Sequence, residues 1–214
     1  SGSIKAAYMS FLALPIFTLL TLYLLAPFTH QRIKAYQVDN SRFGQTSFAF
    51  AAKPGNFYKI YIFTLLMFIA LFAAFGLVWA IIFGQGSALP RGQAMIIALT
   101  IYIVLIVASL FIVPYFMANL QNLIWNNTSL GEHRFESTLT TSGMMWVMIS
   151  NFILVALTLG LFKPFADVRM ARYRLENMVL LPAGDLEAFI ADTQRQETAT
   201  GHETAEMFDV DIAF

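Results

Sequence analysis

The chain has 214 residues and no net charge, and its composition differs from that of soluble domains. Hydrophobic residues make up 58% and charged residues 12%, against about 45–50% and about 25% in ordinary globular proteins. So few charges cannot cover a soluble surface of this size, and the composition predicts a lipid-facing exterior. It excludes an intrinsically disordered chain, and it excludes nucleic-acid binding as the main function. The absence of Cys excludes disulfides, thiolate metal sites and Cys nucleophiles.

Charge is distributed unevenly along the chain. Residues 1–177 hold twelve Lys and Arg against five Asp and Glu, whereas 178–214 hold one Arg against eight acids. The two parts meet at the helix-breaking sequence Pro-Ala-Gly at 182–184. We therefore predict a membrane domain at 1–177 and an acidic, soluble tail at 178–214.

Four hydrophobic helical segments are predicted in the membrane domain, because four runs carry no Asp, Glu, Lys or Arg. A helix needs about 20 apolar residues to cross the hydrocarbon core. The segments, named A to D, lie near 8–28, 58–83, 94–118 and 143–165.

Segments B and C are predicted to form a transmembrane hairpin, because the turn between them is short and rich in Gly and Pro. Cations cluster at 29–59 and at 163–174, which places both stretches in the cytoplasm. Segment D would then enter and leave on one side, although it is too short for two crossings. Segments A and D are therefore either re-entrant, or the positive-inside rule fails at one end.

An internal repeat connects the segments. Residues 21–40 and 158–177 are identical at eight of twenty positions without a gap. A weaker third copy follows segment C, so the copies lie near 8–50, 94–137 and 143–177. Each copy has a Pro where a helix is expected to kink or end at the interface: Pro27, Pro114 and Pro164.

The stretches 40–50 and 127–137 alternate weakly and contain Gly, which favours short hairpin strands over irregular loops. The predicted fold is thus an all-α polytopic membrane protein with short interfacial hairpins or loops.

Two sets of residues are candidates for function. The cations after the Pro positions are expected to reach lipid phosphates: Arg32, Lys34, Arg169, Arg172 and Arg174. Neutral polar groups in segment D could line a cavity: Asn151 and Thr158.

Catalytic chemistry is not expected. The three histidines, His30, His133 and His202, lie in separate loops without metal-ligand spacing, and a solvated or interfacial position is expected for each. No Ser-His-Asp set, phosphate loop or cofactor motif is present, so we expect no enzyme, cofactor or metal.

The strings at 158–173 (Thr-Leu-Gly-Leu-Phe-Lys-Pro-Phe-Ala-Asp-Val-Arg-Met-Ala-Arg-Tyr), 40–50 (Asn-Ser-Arg-Phe-Gly-Gln-Thr-Ser-Phe-Ala-Phe) and 205–211 (Ala-Glu-Met-Phe-Asp-Val-Asp) resemble the YjgN family of uncharacterised bacterial inner-membrane proteins. Family members are longer, and this chain is similar to their C-terminal portion. The middle copy departs from the pattern, with Asn119 and Gln121 in place of the cations. The resemblance brings no catalytic residues, and it implies a membrane metallopeptidase of the M48 type as a partner.

Two functions remain open. The first is a non-enzymatic scaffold or regulator of a membrane partner in the bacterial inner membrane, and the second is a transporter, channel or lipid-handling protein built from duplicated units. The acidic tail is expected in the cytoplasm, because the Arg cluster directly precedes it.

Overall fold

The computed structural model describes residues 4–83 and 90–184, and it is mostly helical. The chain divides into two compact units. The first contains Ser1–Pro54, Ile124–Glu136 and Val179–Phe214, and the second contains Gly55–Leu123 and Ser137–Met178.

The described residues form seven α-helices and five strands. The helices are α1 (Ile4–Tyr8), α2 (Leu14–Leu20), α3 (Ala26–Asp39), α4 (Pro54–Phe83), α5 (Arg91–Trp125), α6 (Thr141–Leu157) and α7 (Lys163–Glu176), with a π-helical turn at Met9–Ala13. The strands are β1 (Arg42–Phe43), β2 (Thr46–Phe50), β3 (Thr128–Leu130), β4 (His133–Ser137) and β5 (Met178–Leu181).

The five strands form one small sheet in the order β1-β2-β3-β4-β5. Antiparallel pairs join β1 to β2, β2 to β3 and β3 to β4. Two-residue turns begin at Gly44 and Gly131, each with φ of +57°, a conformation that glycine adopts without steric cost. The preference for hairpin strands is confirmed. The prediction of a mostly helical fold is confirmed, and the hairpins combine with β5 into a small sheet that an all-α description leaves out.

In the second unit, α4 and α5 pack as an antiparallel pair. Three pairs of aromatic rings mark the contact: Tyr61 with Phe116, Phe63 with Tyr115, and Phe75 with Tyr102, with centroids 5.0, 5.1 and 6.5 Å apart. Spans of 27 and 31 residues, Pro54–Ala80 and Met95–Trp125, are long and apolar enough to cross a membrane. These helices correspond to segments B and C.

A buried cluster lies beside the end of α5 in the same unit. Ala118, Leu139 and Met144 form its centre, and Met117, Met148, Met170 and Tyr173 pack around it. Asn122 holds the connection after β4, because its Oδ1 accepts from Leu139 N at 3.0 Å and its Nδ2 donates to Leu139 O at 2.8 Å.

Segments A and D are not single helices. In segment A the helix ends at Leu20, and in segment D it ends at Leu157. Pro27 and Pro164 lie in the first turn of the helix that follows. The expectation that these prolines end a helix is therefore wrong. Proline is tolerated in a first turn, because the N–H that it lacks would have no helical acceptor there.

Pro114 differs from the other two prolines. It lies inside α5, which continues to Trp125, so a helix end at this position is wrong, whereas a kink there stays a prediction. Neighbouring helices can accommodate a proline within a membrane helix. Of the predicted acidic tail, only 178–184 is described, and β5 occupies most of it. The remainder, 185–214, lies outside the described residues.

Candidate functional site

The first helical hairpin consists of α2, a turn at 21–25 and α3. Polar contacts close its interior: Thr18 Oγ1 lies 2.6 Å from Thr29 Oγ1, and Thr29 Oγ1 donates to Leu14 O at 3.5 Å. Phe11 meets Tyr36 edge to face at 5.5 Å between ring centroids. Because residues farther before the turn contact residues farther after it, α3 runs back along α2.

The second helical hairpin consists of α6, a turn at 158–162 and α7. Asn151 is buried and bridges the two helices, because its Nδ2 donates to Ala166 O at 2.9 Å. Arg169 Nη1 donates to Asn151 Oδ1 at 2.7 Å, and its Nη2 donates to Ser150 Oγ at 3.2 Å. At the open end, Tyr173 Oη donates to Thr140 O at 3.3 Å. Here too the second helix returns alongside the first.

The two turns have the same backbone geometry at matching positions of the two sequence copies. Each pair of matching residues is separated by the same number of residues as Asn40 and Asn177. Leu22 and Leu159 both have φ near +50°, and Tyr23 and Gly160 also have positive φ. The amide of Tyr23 donates to Thr18 O and that of Gly160 to Val155 O, both at 2.8 Å. Thus the two stretches that resemble each other in sequence adopt the same chain reversal.

Large apolar side chains are exposed on both hairpins, and the first hairpin buries mainly polar ones. In the first hairpin Thr18, Thr29 and Gln31 are almost inaccessible beside Pro27, as is Ser10 in the preceding π-helical turn. In the second hairpin Asn151 is buried together with the apolar side chains of Met144, Val147 and Ala166. By contrast, Leu22 is 86% and Leu159 is 95% exposed at the two turns. This arrangement is opposite to that of a soluble protein, and it is typical of helices that face lipid.

The predicted lipid-phosphate residues occupy different environments. On α3, Arg32 is exposed with its Cζ 5.1 Å from the Phe28 ring centroid, whereas Lys34 is half-buried. On α7, Arg172 is exposed, and Arg169 is held inside the hairpin.

Arg174 is half-buried, and its Nε has no hydrogen-bond partner within the part of the chain that the structure describes. Lys163 at the start of α7 pairs with Asp167 one turn later at the surface.

Asn151 and Thr158 have structural partners. Thr158 Oγ1 donates to Leu154 O at 2.7 Å and accepts from Phe162 N at 3.0 Å, which closes the turn. A cavity-lining role for the two residues therefore stays a prediction. Sequence reasoning missed the pairing of Asn151 with Arg169, and a chain reversal at Gly160 is the signal that would have brought them together.

The histidines do not form a metal site in the described residues, where no three His, Asp or Glu side chains converge. His133 is buried in β4, and its Nδ1 accepts from Ala183 N at 3.1 Å, so a solvated position is wrong for it and an interfacial position stays a prediction. His30 lies on α3, where burial, together with the positive charge of Lys34, lowers its pKa below the usual value. His202 lies outside the described residues.

Two helices of spanning length and two hairpins with apolar exteriors define an integral membrane protein. The chain belongs to the family described as bacterial protein of unknown function (DUF898), which it matches over residues 1–207.

A curated relative, "Inner membrane protein YjgN" of Salmonella typhimurium (strain LT2), is 30% identical over 89 residues. The match covers 41% of this chain and 22% of the relative, so the chain spans about a fifth of the relative's length. The resemblance to the YjgN family is thereby confirmed. No solved structure matches the chain.

Proposed function

We propose that this chain is a non-enzymatic protein of the bacterial inner membrane that scaffolds or regulates a membrane partner. In this proposal α4 and α5 cross the membrane, and the two helical hairpins insert into it from the cytoplasmic side without crossing. The observation that carries the proposal is the exposure of large apolar side chains on both hairpins, which in the first hairpin surround buried polar side chains.

The length of α6 supports re-entry over crossing. Its 17 residues extend about 25 Å at about 1.5 Å per residue, which is less than the hydrocarbon thickness of about 30 Å. The chain then reverses at Gly160, and α7 returns along α6 through the Asn151–Arg169 contact. A hairpin of this kind begins and ends on the same side of the membrane.

The backbone of the turns also suits a site without water. Unpaired amide and carbonyl groups are costly in lipid. The amides of Thr21, Leu22, Tyr23 and Leu24 each donate to a carbonyl within the first hairpin, as do those of 158–161 in the second. The turns could therefore lie at depth without exposing these amides to hydrocarbon.

The sheet favours one side of the membrane for both the segment before α4 and the segment after α5. Strand β2 precedes α4 and β3 follows α5, and these strands pair with each other. The chain would then enter and leave the α4–α5 pair on one side, and the cations at 29–59 favour the cytoplasm for that side.

Cysteine labelling tests the insertion directly, because the chain has no Cys of its own. Single variants Leu22→Cys and Leu159→Cys place a thiol at the turns, and Gln45→Cys and Arg172→Cys serve as exposed controls. A membrane-impermeant maleimide should label the controls in inverted vesicles, and the turn variants only after detergent is added. Labelling of a turn thiol from the periplasmic side would show a crossing, and fast labelling in inverted vesicles would show a hairpin in water.

Scaffolding is tested by crosslinking in native membranes followed by purification of the tagged chain. A membrane protein should be recovered, and the family resemblance suggests a metallopeptidase of the M48 type. Recovery of no partner in several detergents would contradict this part of the proposal.

Lipid handling is the second candidate, and a groove on the first helical hairpin favours it. The groove has a volume of about 510 Å³ and is lined by both polar and apolar side chains. Movement of fluorescent lipid between leaflets in reconstituted vesicles would favour this function, whereas retention of lipid without movement would favour the scaffold.

A further inference from the structure

The groove on the first helical hairpin follows one face of α3. Ala26, His30, Lys34 and Gln37 line it at intervals of three or four residues, and they face α2 and the turn. The groove therefore extends from the turn almost to the end of α3 at Asp39.

Polarity changes along this length. Leu19, Tyr23 and Ala26 line the end at the turn, and Thr18 and Thr29 lie between the two ends. His30, Lys34 and Gln37 line the end near the base of the hairpin, together with the apolar Pro15 and Ile33. Among the described lining residues there is a cation at Lys34 and no carboxylate. The groove thus combines an apolar half with a half that is suited to a phosphate.

We propose that this groove binds one anionic glycerophospholipid, with its phosphate beside Lys34, His30 and Gln37 and an acyl chain along Leu19 and Tyr23. The inference rests on the proposed insertion of the hairpin, which places the turn deeper than the base. A phospholipid has the same order of groups, because its phosphate lies at the interface and its chains extend toward the bilayer centre. An inorganic phosphate would leave the apolar half unused.

Native mass spectrometry of the detergent-purified protein with added phosphatidylglycerol measures the binding. Lys34→Gln should lower the fraction that retains one lipid about fivefold, which corresponds to the attraction of one cation near a membrane surface. Arg42→Gln is the matched control, because Arg42 is an exposed cation on β1 in the same unit and does not line the groove. It should retain lipid as the unaltered protein does.

Ala26→Trp tests the apolar half, since a large side chain should obstruct the groove while leaving Lys34 in place. Circular dichroism and size-exclusion chromatography establish that each variant is folded, and Lys34→Gln keeps the proposal testable if Ala26→Trp does not fold. Equal loss in the Lys34 and Arg42 variants would overturn the site in favour of general charge attraction. Unchanged retention in both would overturn it as well.

Competition identifies the ligand. Glycerol 3-phosphate in excess should not displace phosphatidylglycerol, and displacement at similar concentrations would overturn a lipid ligand in favour of a soluble phosphate. The labelling of Leu22→Cys reports insertion separately. A buried turn without lipid retention therefore contradicts only the groove, whereas a water-exposed turn contradicts the proposed function.

Discussion

Asn151 determines how the second helical hairpin is held together. It is 8% exposed, and its two side-chain atoms bond to Ala166 O and to Arg169. At the equivalent position of the first hairpin stands Leu14, whose carbonyl accepts from Thr29 instead. Both hairpins thus join the same two positions, but with different polar groups.

Replacement of Asn151 should therefore destabilise the hairpin through Arg169. Asn151→Leu removes the acceptor of a half-buried guanidinium, at a cost of about 1–2 kcal/mol. Thermal unfolding in detergent measures the loss. The double variant with Arg169→Leu should recover part of it, because the charge that lost its partner is then absent. Additive losses in the double variant would show that the two side chains are not coupled.

Gly143 is required where the base of the second hairpin is closest. A Cβ at this position would clash with the Tyr173 hydroxyl, whereas a Cβ at Gly76 in α4 would meet no atom within 4 Å. Gly143→Ala should lower the free energy of unfolding by about 1–3 kcal/mol, and Gly76→Ala should leave it unchanged or raise it. Equal unfolding temperatures for the two variants would contradict the close packing.

His30 should make the stability of the first hairpin depend on pH. Its folded-state pKa is lowered by burial and then by Lys34, so the unfolded chain binds the proton more readily. Stability should fall as the pH decreases below about 6.5, the usual pKa of histidine. Unfolding of His30→Gln between pH 7.5 and 5 should show a smaller decrease than the unaltered protein, and an identical decrease would contradict this role.

At the level of elements, sequence patterns could predict α4 and α5, because both are long, charge-free and separated by helix breakers. They could also predict the strand hairpins from Gly44 and Gly131. They could not predict the breaks after Leu20 and Leu157, since an apolar run has the same hydropathy whether or not the chain reverses within it. The assembly of five short strands into one sheet depends on pairing between residues far apart in sequence, such as Phe48 with Leu130.

The turn of the second hairpin should not tolerate a charge. A cation at membrane depth costs about 2.5–3.5 kcal/mol on insertion scales, and the Leu159 side chain in that turn is 95% exposed. Leu159→Lys should reduce the amount of protein in the membrane fraction and make a thiol at Leu161→Cys accessible in inverted vesicles. Leu175→Lys, also exposed but near the base of α7, should have little effect. Similar behaviour of the two variants would contradict insertion by the turn.

At the level of the whole molecule, the strands lie in the chain between helices or after the last described helix. β1 and β2 lie between α3 and α4, β3 and β4 between α5 and α6, and β5 follows α7. If the sheet lies on the cytoplasmic side, the segment after β5 begins there too.

A reporter at Phe214 should therefore lie in the cytoplasm. We expect a fluorescent protein fused there to be bright and alkaline phosphatase to be inactive, because phosphatase folds only outside the reducing cytoplasm. A fusion of each reporter after Gln45 provides the matched control on the sheet. Phosphatase activity at Phe214 with a fluorescent Gln45 fusion would show that the chain crosses the membrane after α7.

The two turns differ in what their shared geometry costs. A left-handed backbone costs a residue with a Cβ about 1–2 kcal/mol, and the second hairpin avoids this cost at Gly160, whereas the first retains Tyr23 at the matching position. Tyr23 also lines the groove. Among relatives of this chain, the residue at this position would then distinguish two kinds of turn: glycine where the chain only reverses, and a large side chain where the turn also contacts a ligand.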